Sequence, residues 1–321
     1  VIANALPEQS YLLTGHHQDD QAETVLLQLL RGAGPKGLSA MPFLKCFKAV
    51  TIARPLLNVS REEIMLYAKE HHLQWIEDSS NDNRDFYRNI IRHDVLPLIK
   101  QTWPAATQTL SRTALHCAET EVLVNALATT DLQQCLSEQD TLSIQALQAL
   151  TPERCKQVIR FWLSQKQFTL PSATKLNQIL SEVLPARLDA NPLVCWEGVE
   201  IRRYRDLLYA NQPLTAFDPK QKILWNLTQS LTLPGRLGLL TATQTKGNGI
   251  KVSEVTDLLE IRFRQGGETC YLPNRLGAHS LNNLFQEWGL PTWQRDRVPL
   301  IYCNDQLVCV FGFCICDGFV E

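Results

Sequence analysis

Ser10-Tyr11-Leu12-Leu13-Thr14 is a short β-prone run that Gly15 ends, and a helical pattern follows at once. A strand that hands over to a helix through a tight turn is the repeating unit of a parallel sheet, because parallel neighbours need a crossover between them. The spacing predicts a helix from about Asp19 to Arg31. Asp20 and Glu23 stand at capping-box spacing, Val25, Leu26, Leu29 and Leu30 supply the buried face, and Gly32 is the stop. Residues 49–53 read as a second strand. Ser60, with Glu63 three residues on, caps a second helix in which Ile64, Tyr67 and Ala68 keep the period. Gln74-Trp75-Ile76 reads as a third strand. This β-α-β-α-β order predicts an α/β domain with a parallel sheet. Ligands of such sheets sit beyond the strand carboxyl ends, where the Gly15–Asp20 turn lies.

At 321 residues the chain is long for one core, so two or three domains are expected. Residues 106–180 read as helices, with caps at Thr151-Pro152 and Pro171-Ser172. Strand character returns over 192–210, Asn211-Gln212-Pro213 reads as a linker, and from Trp225 the chain is β-rich around one helix near Ser280–Trp288. Three domains follow: 1–105 of α/β type, a mainly helical middle over 106–213, and a smaller β-rich α+β domain over 214–321. The net charge is −2, so an anionic partner must be held by local patches rather than by the whole surface. No apolar run approaches the roughly 18 residues of a membrane span, and no membrane partner is expected. The cysteines are scattered, which reads as reduced, buried thiols in a cytoplasmic protein. Val1 is not a start methionine, so the numbering is read as beginning inside a longer chain.

Four clusters carry polar chemistry. The densest is Gly15-His16-His17-Gln18-Asp19-Asp20-Gln21-Ala22-Glu23-Thr24. In a helix His16, Asp20 and Glu23 fall on one side of the entry turn, where carboxylates can capture an ammonium group or hold a cation against phosphates. Capping alone accounts for part of this pattern. A second cluster runs from Glu77-Asp78-Ser79-Ser80-Asn81 to Arg84, Arg88 and Arg92. Arginines four apart form one helical stripe, suited to phosphate or to a solvated face paired with acids. Arg31-Gly32-Ala33-Gly34-Pro35-Lys36-Gly37 is a glycine-rich basic loop that serves either as a phosphate contact or as a plain helix stop. In the last segment Arg262 and Arg264 share a strand face, and Trp288, Trp293, Arg295 and Arg297 add aromatic and basic groups. That set suits RNA, or an ordinary β-domain surface. Cys309, Cys314 and Cys316 read as buried structural thiols, not as metal ligands. No metal ligand set is assigned.

Taken in order, these runs resemble the tRNA(Ile)-lysidine synthetase family. The resemblance rests on Gly15-His16-His17-x-Asp19-Asp20-Gln21-Ala22-Glu23-Thr24, Arg31-Gly32-x-Gly34-x-x-Gly37-Leu38, Arg54-Pro55-Leu56-Leu57, Glu77-Asp78-x-Ser80-Asn81 and Arg88-Asn89-x-x-Arg92-His93. Further on it rests on Arg202-Arg203-Tyr204-Arg205, Arg262-Phe263-Arg264-x-Gly266-Gly267-Glu268 and Pro291-x-Trp293-x-Arg295-Asp296-Arg297. The first motif is shared with other PP-loop enzymes, tRNA thiolases among them. The order and the C-terminal motifs single out the lysidine enzyme.

The resemblance implies an ATP-dependent ligase that forms a carbon–nitrogen bond. ATP with Mg²⁺ adenylates the oxygen on C2 of the wobble cytidine of tRNA(Ile) with a CAU anticodon, releasing pyrophosphate, and the ε-amino group of L-lysine then attacks C2 and displaces AMP. Asp20 and Glu23 would hold the lysine, with His16 accepting the proton or orienting the base. His17, Asp19, Arg31, Arg88, Asn89 and Arg92 would serve ATP, phosphate or cytidine. Arg84, Arg202, Arg203, Arg205, Arg262, Arg264, Arg295 and Arg297 would meet tRNA. No obligate protein partner is implied. The family opens with a Ser-Gly-Gly-x-Asp-Ser phosphate loop that is not found in this sequence. The sheet is therefore expected to be an incomplete Rossmann-like one, and the chain to be inactive by truncation. The rivals are a PP-loop tRNA thiolase, a divalent-metal phosphoesterase built on His16, Asp20 and Glu23, and a tRNA-binding fragment without catalysis.

Overall fold

Three short strands make the sheet that carries the first motif. In the computed structural model, β1 (Tyr11–Leu13) runs parallel to β3 (Val50–Ala53), and β2 (Leu44–Phe47) pairs with β3 from the other side. The structure describes residues 7, 9–47, 49–76, 83–137, 140–188, 190–247, 249–256, 258–273 and 275–320. It divides the chain into two compact units, Val1–Thr130 and Asp131–Glu321.

Two expectations for the first unit fail. The sheet is mixed, because β2 and β3 are joined too closely for a crossover and must pair antiparallel. All residues of β2 are exposed, so no inside–outside alternation marked it in the sequence. Gln74-Trp75-Ile76 forms no strand: it trails off the preceding helix, and Ile76 is 97% exposed.

Helix α1 (Gln18–Leu30) starts a few residues beyond the carboxyl end of β1, where the sequence put it. Its buried face differs from the expected one. Leu29 and Leu30 are exposed, while Asp20, Gln21, Ala22, Glu23 and Val25 are buried. The first two turns therefore enter the domain with polar side chains, each of which must find a partner. Gly32 has φ +71°, the left-handed conformation that ends a helix most cheaply with glycine. A one-turn helix α2 (Pro35–Leu38) follows. Helix α3 (Arg61–Glu70) has the expected capping box: Glu63 N–H donates to Ser60 Oγ at 3.2 Å, and Ser60 N–H donates to Glu63 Oε2 at 2.8 Å.

Helix α4 (Tyr87–Ile90), a π-helical turn (Ile91–Val95) and α5 (Leu96–Thr102) follow one another directly. The wide turn lies just ahead of Pro97, which has no N–H to give the ladder. Arg84 precedes the helix and pairs with Asp94, so the expected three-arginine stripe holds only Arg88 and Arg92. The motif residues Glu77 to Asn81 lie outside the described residues. A 30-residue helix, α6 (Ala106–Cys135), follows.

In the second unit, β4 (Leu142–Ser143), β5 (Leu193–Trp196), β6 (Val199–Tyr204) and β7 (Leu207–Asn211) form an antiparallel sheet in the order β4-β7-β6-β5. Helices α7 (Ile144–Gln148), α8 (Pro152–Gln165) and α9 (Ala173–Gln178) belong to the same core, in which Trp162, Leu163, Ile179, Ile201 and Leu208 are fully buried. Thr151 and Ser172 cap α8 and α9 as expected. Further along are β8 (Ile223–Asn226), β11 (Leu258–Arg262), β14 (Leu300–Cys303), β15 (Gln306–Val310) and β16 (Cys314–Ile315), an antiparallel sheet in the order β16-β15-β14-β11-β8. Two strand pairs, β9 (Leu231–Leu233) with β10 (Gly238–Leu240) and β12 (Thr269–Tyr271) with β13 (Ala278–Ser280), stand beside it in the chain. Helix α10 (Leu281–Glu287) is the helix expected near Ser280, and a one-turn helix, α11 (Thr292–Arg295), follows it.

Candidate active site

Asp20 and Glu23 stand one turn apart on α1, and both are buried, Glu23 to 1% exposure. Arg88 and Arg92, four residues apart on the α4 segment, reach back to both acids. Arg88 Nε donates to Glu23 Oε2 at 2.8 Å and Nη2 to Asp20 Oδ1 at 3.0 Å. Arg92 Nε donates to Glu23 Oε1 at 2.6 Å, and its Nη2 to Asp20 Oδ1 and Glu23 Oε2 at 3.0 Å each. The hydrogen bond to Glu23 is the main cause that raises the Arg92 pKa above its ordinary value. The acids and arginines thus form one neutral cluster, not an anionic and a cationic subsite. Asn89 is buried and donates from Nδ2 to Asn83 O at 2.8 Å.

The histidines and Asp19 flank this cluster. His17 N–H donates to Asp20 Oδ2 at 3.0 Å, so Asp20 closes the first turn of α1, and Glu23 does not cap. His17 Nε2 is 3.5 Å from the same carboxylate oxygen. His16 Nδ1 lies 2.8 Å from Thr14 Oγ1, and burial pushes the His16 pKa below its ordinary value. Asp19 faces elsewhere: it accepts from Arg61 N–H and from Lys100 Nζ, each at 2.9 Å. Burial works against its charge, but these two donors outweigh it and hold the carboxyl below the usual range. A cleft of about 640 Å³ opens here, lined among others by Gln18, Asp19, Ser60, Arg61, Lys100 and Thr107.

Arg31 is exposed, and its side chain makes no hydrogen bond or ion pair among the described residues. The glycine-rich loop that follows is folded back on α1. A Cβ on Gly37 would sit 2.5 Å from Ala33 Cβ, so no larger residue fits there. Gln21 donates from Nε2 to Met41 O and accepts Met41 N–H at Oε1, both at 3.0 Å. Arg54, buried and without a carboxylate partner among the described residues, donates from Nη1 to Pro42 O at 2.7 Å. Gln21, Arg54 and Lys100 were not assigned roles from the sequence. Gln21 and Arg54 stand in the quoted motifs; the pairing of Lys100 with Asp19 across 81 residues left no sequence signal.

Every arginine expected to meet tRNA has a partner inside the protein. Arg202 pairs with Glu200 at 3.0 Å and lies over the Trp293 ring. Arg203 donates to Arg205 O and Leu184 O, and Arg205 donates to Gln286 O. Arg262 bonds Glu260 and Asp305, and Arg264 bonds Asp296 at 2.6 Å. Arg295 donates to Leu290 O at 3.0 Å and to Tyr204 OH at 3.1 Å. Arg297 donates to Thr215 O at 2.8 Å and Gly235 O at 2.6 Å. With Tyr204 and Tyr209 edge-on to Trp293, part of this set ties the four-stranded sheet to the α11 segment.

The cysteines are all free, but Cys46 and Cys195 are exposed rather than buried. Among the described residues, no group of three or more His, Cys, Asp or Glu side chains is placed to hold a metal ion. Among them, too, no helix is long and apolar enough to cross a membrane.

Family comparisons agree with this layout. Residues 1–99 match a PP-loop domain, 142–209 the TilS substrate binding domain, and 259–321 the TilS substrate C-terminal domain. Fold and matches together define a PP-loop enzyme with substrate-binding modules on its C-terminal side. The chain is 46% identical over 319 residues to the tRNA(Ile)-lysidine synthase of Coxiella burnetii, covering 99% of this chain and 71% of that protein. It is 40% identical over 318 residues to that of Legionella pneumophila, covering 99% and 73%. The chain belongs to the tRNA(Ile)-lysidine synthase family. The expectation that the chain is truncated is not borne out by these matches. Likeness to the solved U34-tRNA thiolase of Methanococcus maripaludis is slight, at 22% identity over 34% of this chain and 36% of that one, with a TM-score of 0.29.

Proposed function

We propose that this chain acts as an ATP-dependent ligase that joins the ε-amino group of lysine to C2 of the wobble cytidine in tRNA(Ile) with a CAU anticodon. The observation that carries the site assignment is the buried Asp20–Glu23–Arg88–Arg92 cluster just beyond β1. As it stands the cluster is neutral. A lysine ammonium gains a carboxylate by taking the place of one guanidinium, and Arg88 is the one to yield. Its side chain is 36% exposed against 19% for Arg92. The displaced Arg88 is then free for the negative charge of the activated substrate. The ammonium must lose a proton before it attacks. His16, whose lowered pKa keeps it neutral at neutral pH, is the acceptor. Asn89 stays a positioning residue on the arginine helix, and Arg31 is the loop cation available to phosphate or base.

ATP is a substrate of this reaction, and Mg²⁺ would accompany its phosphates. The described acids fit a protein-held Mg²⁺ poorly, since Asp19, Asp20 and Glu23 each already bind a protein cation. The division at 1–105, 106–213 and 214–321 is the domain plan we propose. Two things support it: separate buried cores centred on Trp162 and on Ile261, and the separate family matches.

The test is transfer of labelled lysine to tRNA(Ile) transcripts with Mg-ATP. The expected result is label in the CAU transcript that depends on ATP and is lost when the wobble cytidine is replaced. ATP-dependent adenylation without lysine transfer, or sulfur transfer in its place, would overturn the assignment.

A further inference from the structure

Three thiols meet inside the C-terminal core, well away in sequence from the lysine site. Cys270 stands on β12, Cys314 on β16, and Cys316 just after it. The Sγ atoms of Cys270 and Cys316 are 2.7 Å apart, and those of Cys270 and Cys314 are 3.9 Å apart. A disulfide bond is about 2.05 Å long, so the first pair lies well inside the separation of two sulfurs that merely touch. The backbone holds it there: Asp317 N–H donates to Tyr271 O at 2.7 Å, and Cys316 N–H donates to Val308 O at 2.8 Å. The segment after β16 is thus held against β12 by a backbone hydrogen bond one residue along from each cysteine, a close approach of the kind a disulfide needs.

We propose that Cys270 and Cys316 are a dithiol site that closes to a reversible disulfide, loaded through Cys314 by a low-molecular-weight disulfide. Cys270 and Cys316 are buried to 1% and 3% exposure, so an oxidant cannot reach them directly. Cys314 is half-buried and is the member open to solvent. Hydrogen bonds from the other two thiols push its pKa down to about 4, which favours the attacking thiolate there, while Cys270 is pushed up to about 12. The Cys314 thiolate attacks RSSR, forming Cys314–S–SR and releasing RS⁻, which takes up a proton. The Cys270 sulfur, losing its proton, attacks Cys314 and releases the second RSH. The Cys316 sulfur, losing its proton, attacks Cys270 and returns Cys314 as the free thiol or thiolate. In total, two protein thiols are oxidised, one RSSR is reduced to two RSH, and the new bond closes a loop between residues 46 apart.

The full chain is incubated with oxidised glutathione, blocked with an alkylating agent, digested without reduction and read by mass spectrometry. The expected product links Cys270 to Cys316, with two hydrogens lost, Cys314 alkylated, and reversal by dithiothreitol. Cys314→Ala, checked for an unchanged circular dichroism spectrum, should give the same link at least tenfold more slowly. Glutathione on the exposed Cys46 and Cys195 only, with Cys270 and Cys316 still alkylatable after unfolding, would overturn the proposal. So would formation of the link in Cys314→Ala at the rate of the unchanged protein.

Discussion

Glu23→Gln is the sharpest perturbation of the site, because it removes one charge and almost no volume. Glu23 accepts guanidinium N–H groups at 2.6, 2.8 and 3.0 Å while 1% exposed. The amide keeps one acceptor oxygen and turns an NH₂ toward the other guanidinium. Removing one partner of a buried ion pair costs roughly 3–5 kcal/mol. Arg88 retains partial access to water, which puts the expected cost at the lower end, about 3 kcal/mol. For a unit of this size that is a fall in Tm of about 10 °C. If the same carboxylate holds the reacting lysine, about 3 kcal/mol of lost transition-state contact lowers lysine transfer roughly a hundredfold. Binding of tRNA should be unchanged. The assays are thermal unfolding by circular dichroism and labelled-lysine transfer at saturating tRNA. A fall in Tm with undiminished lysine transfer would refute the catalytic reading and leave Glu23 a purely structural anion. Unchanged Tm would refute the buried cluster itself.

The Asp19 carboxyl titrates below its unfolded value, so its contribution to stability is complete above about pH 4 and lost as pH falls through the lower folded pKa. Asp19→Asn should therefore be less stable at pH 7 but less sensitive to acid below pH 4, as urea midpoints measured across pH would show. His16 is depressed by burial, so from about pH 6.5 down to its folded pKa the unfolded chain binds more protons, and stability should fall with pH there; His16→Gln should flatten that slope. At the end of α6, Asp131 is 1% exposed and bound to Arg154. Arg154→Ala strands the acid, whereas Asp131→Ala frees an arginine that can turn to water, so the former should melt several degrees lower. Arg262→Ala with Arg264→Ala should lower the log–log salt slope of tRNA binding by less than one unit, because both guanidinium groups are already paired; a drop of two units in filter binding would show that they meet phosphates.

Much of this was legible in the sequence, and the failures have common causes. The strand before Gly15, the start of α1 beyond it and the Ser60–Glu63 box all follow from local chemistry and stand in the structure. β2 was missed because an exposed strand carries no alternation, and Gln74-Trp75-Ile76 was overread because β propensity without a partner strand makes no sheet. The clustering of Asp20 and Glu23 was visible from spacing. Their union with Arg88 and Arg92 was not, since it joins residues some 65 to 72 apart through the tertiary fold. Reading α1 as an amphipathic helix with a leucine face failed for the same reason. Its buried side is polar because Asp20 and Glu23 bind Arg88 and Arg92 there.

The arginines carry the broader consequence. A chain with net charge −2 cannot spend guanidinium groups freely on phosphate, and here each arginine of the C-terminal motifs first serves the protein. Arg297 rests on two carbonyl oxygens and over Phe217, Arg295 on a carbonyl and Tyr204 OH, and Arg202 between Glu200 and the Trp293 face. An Arg fork fills such sites better than a lysine because its planar donors meet carbonyls and rings at once. A sequence pattern of arginine with aromatic residues thus has two physical meanings, nucleic-acid contact and intramolecular mortar, and spacing alone does not separate them. Burial and pairing do. By that criterion Arg31, exposed and unpaired among the described residues, is a better candidate for contact with RNA or nucleotide than any member of the C-terminal set.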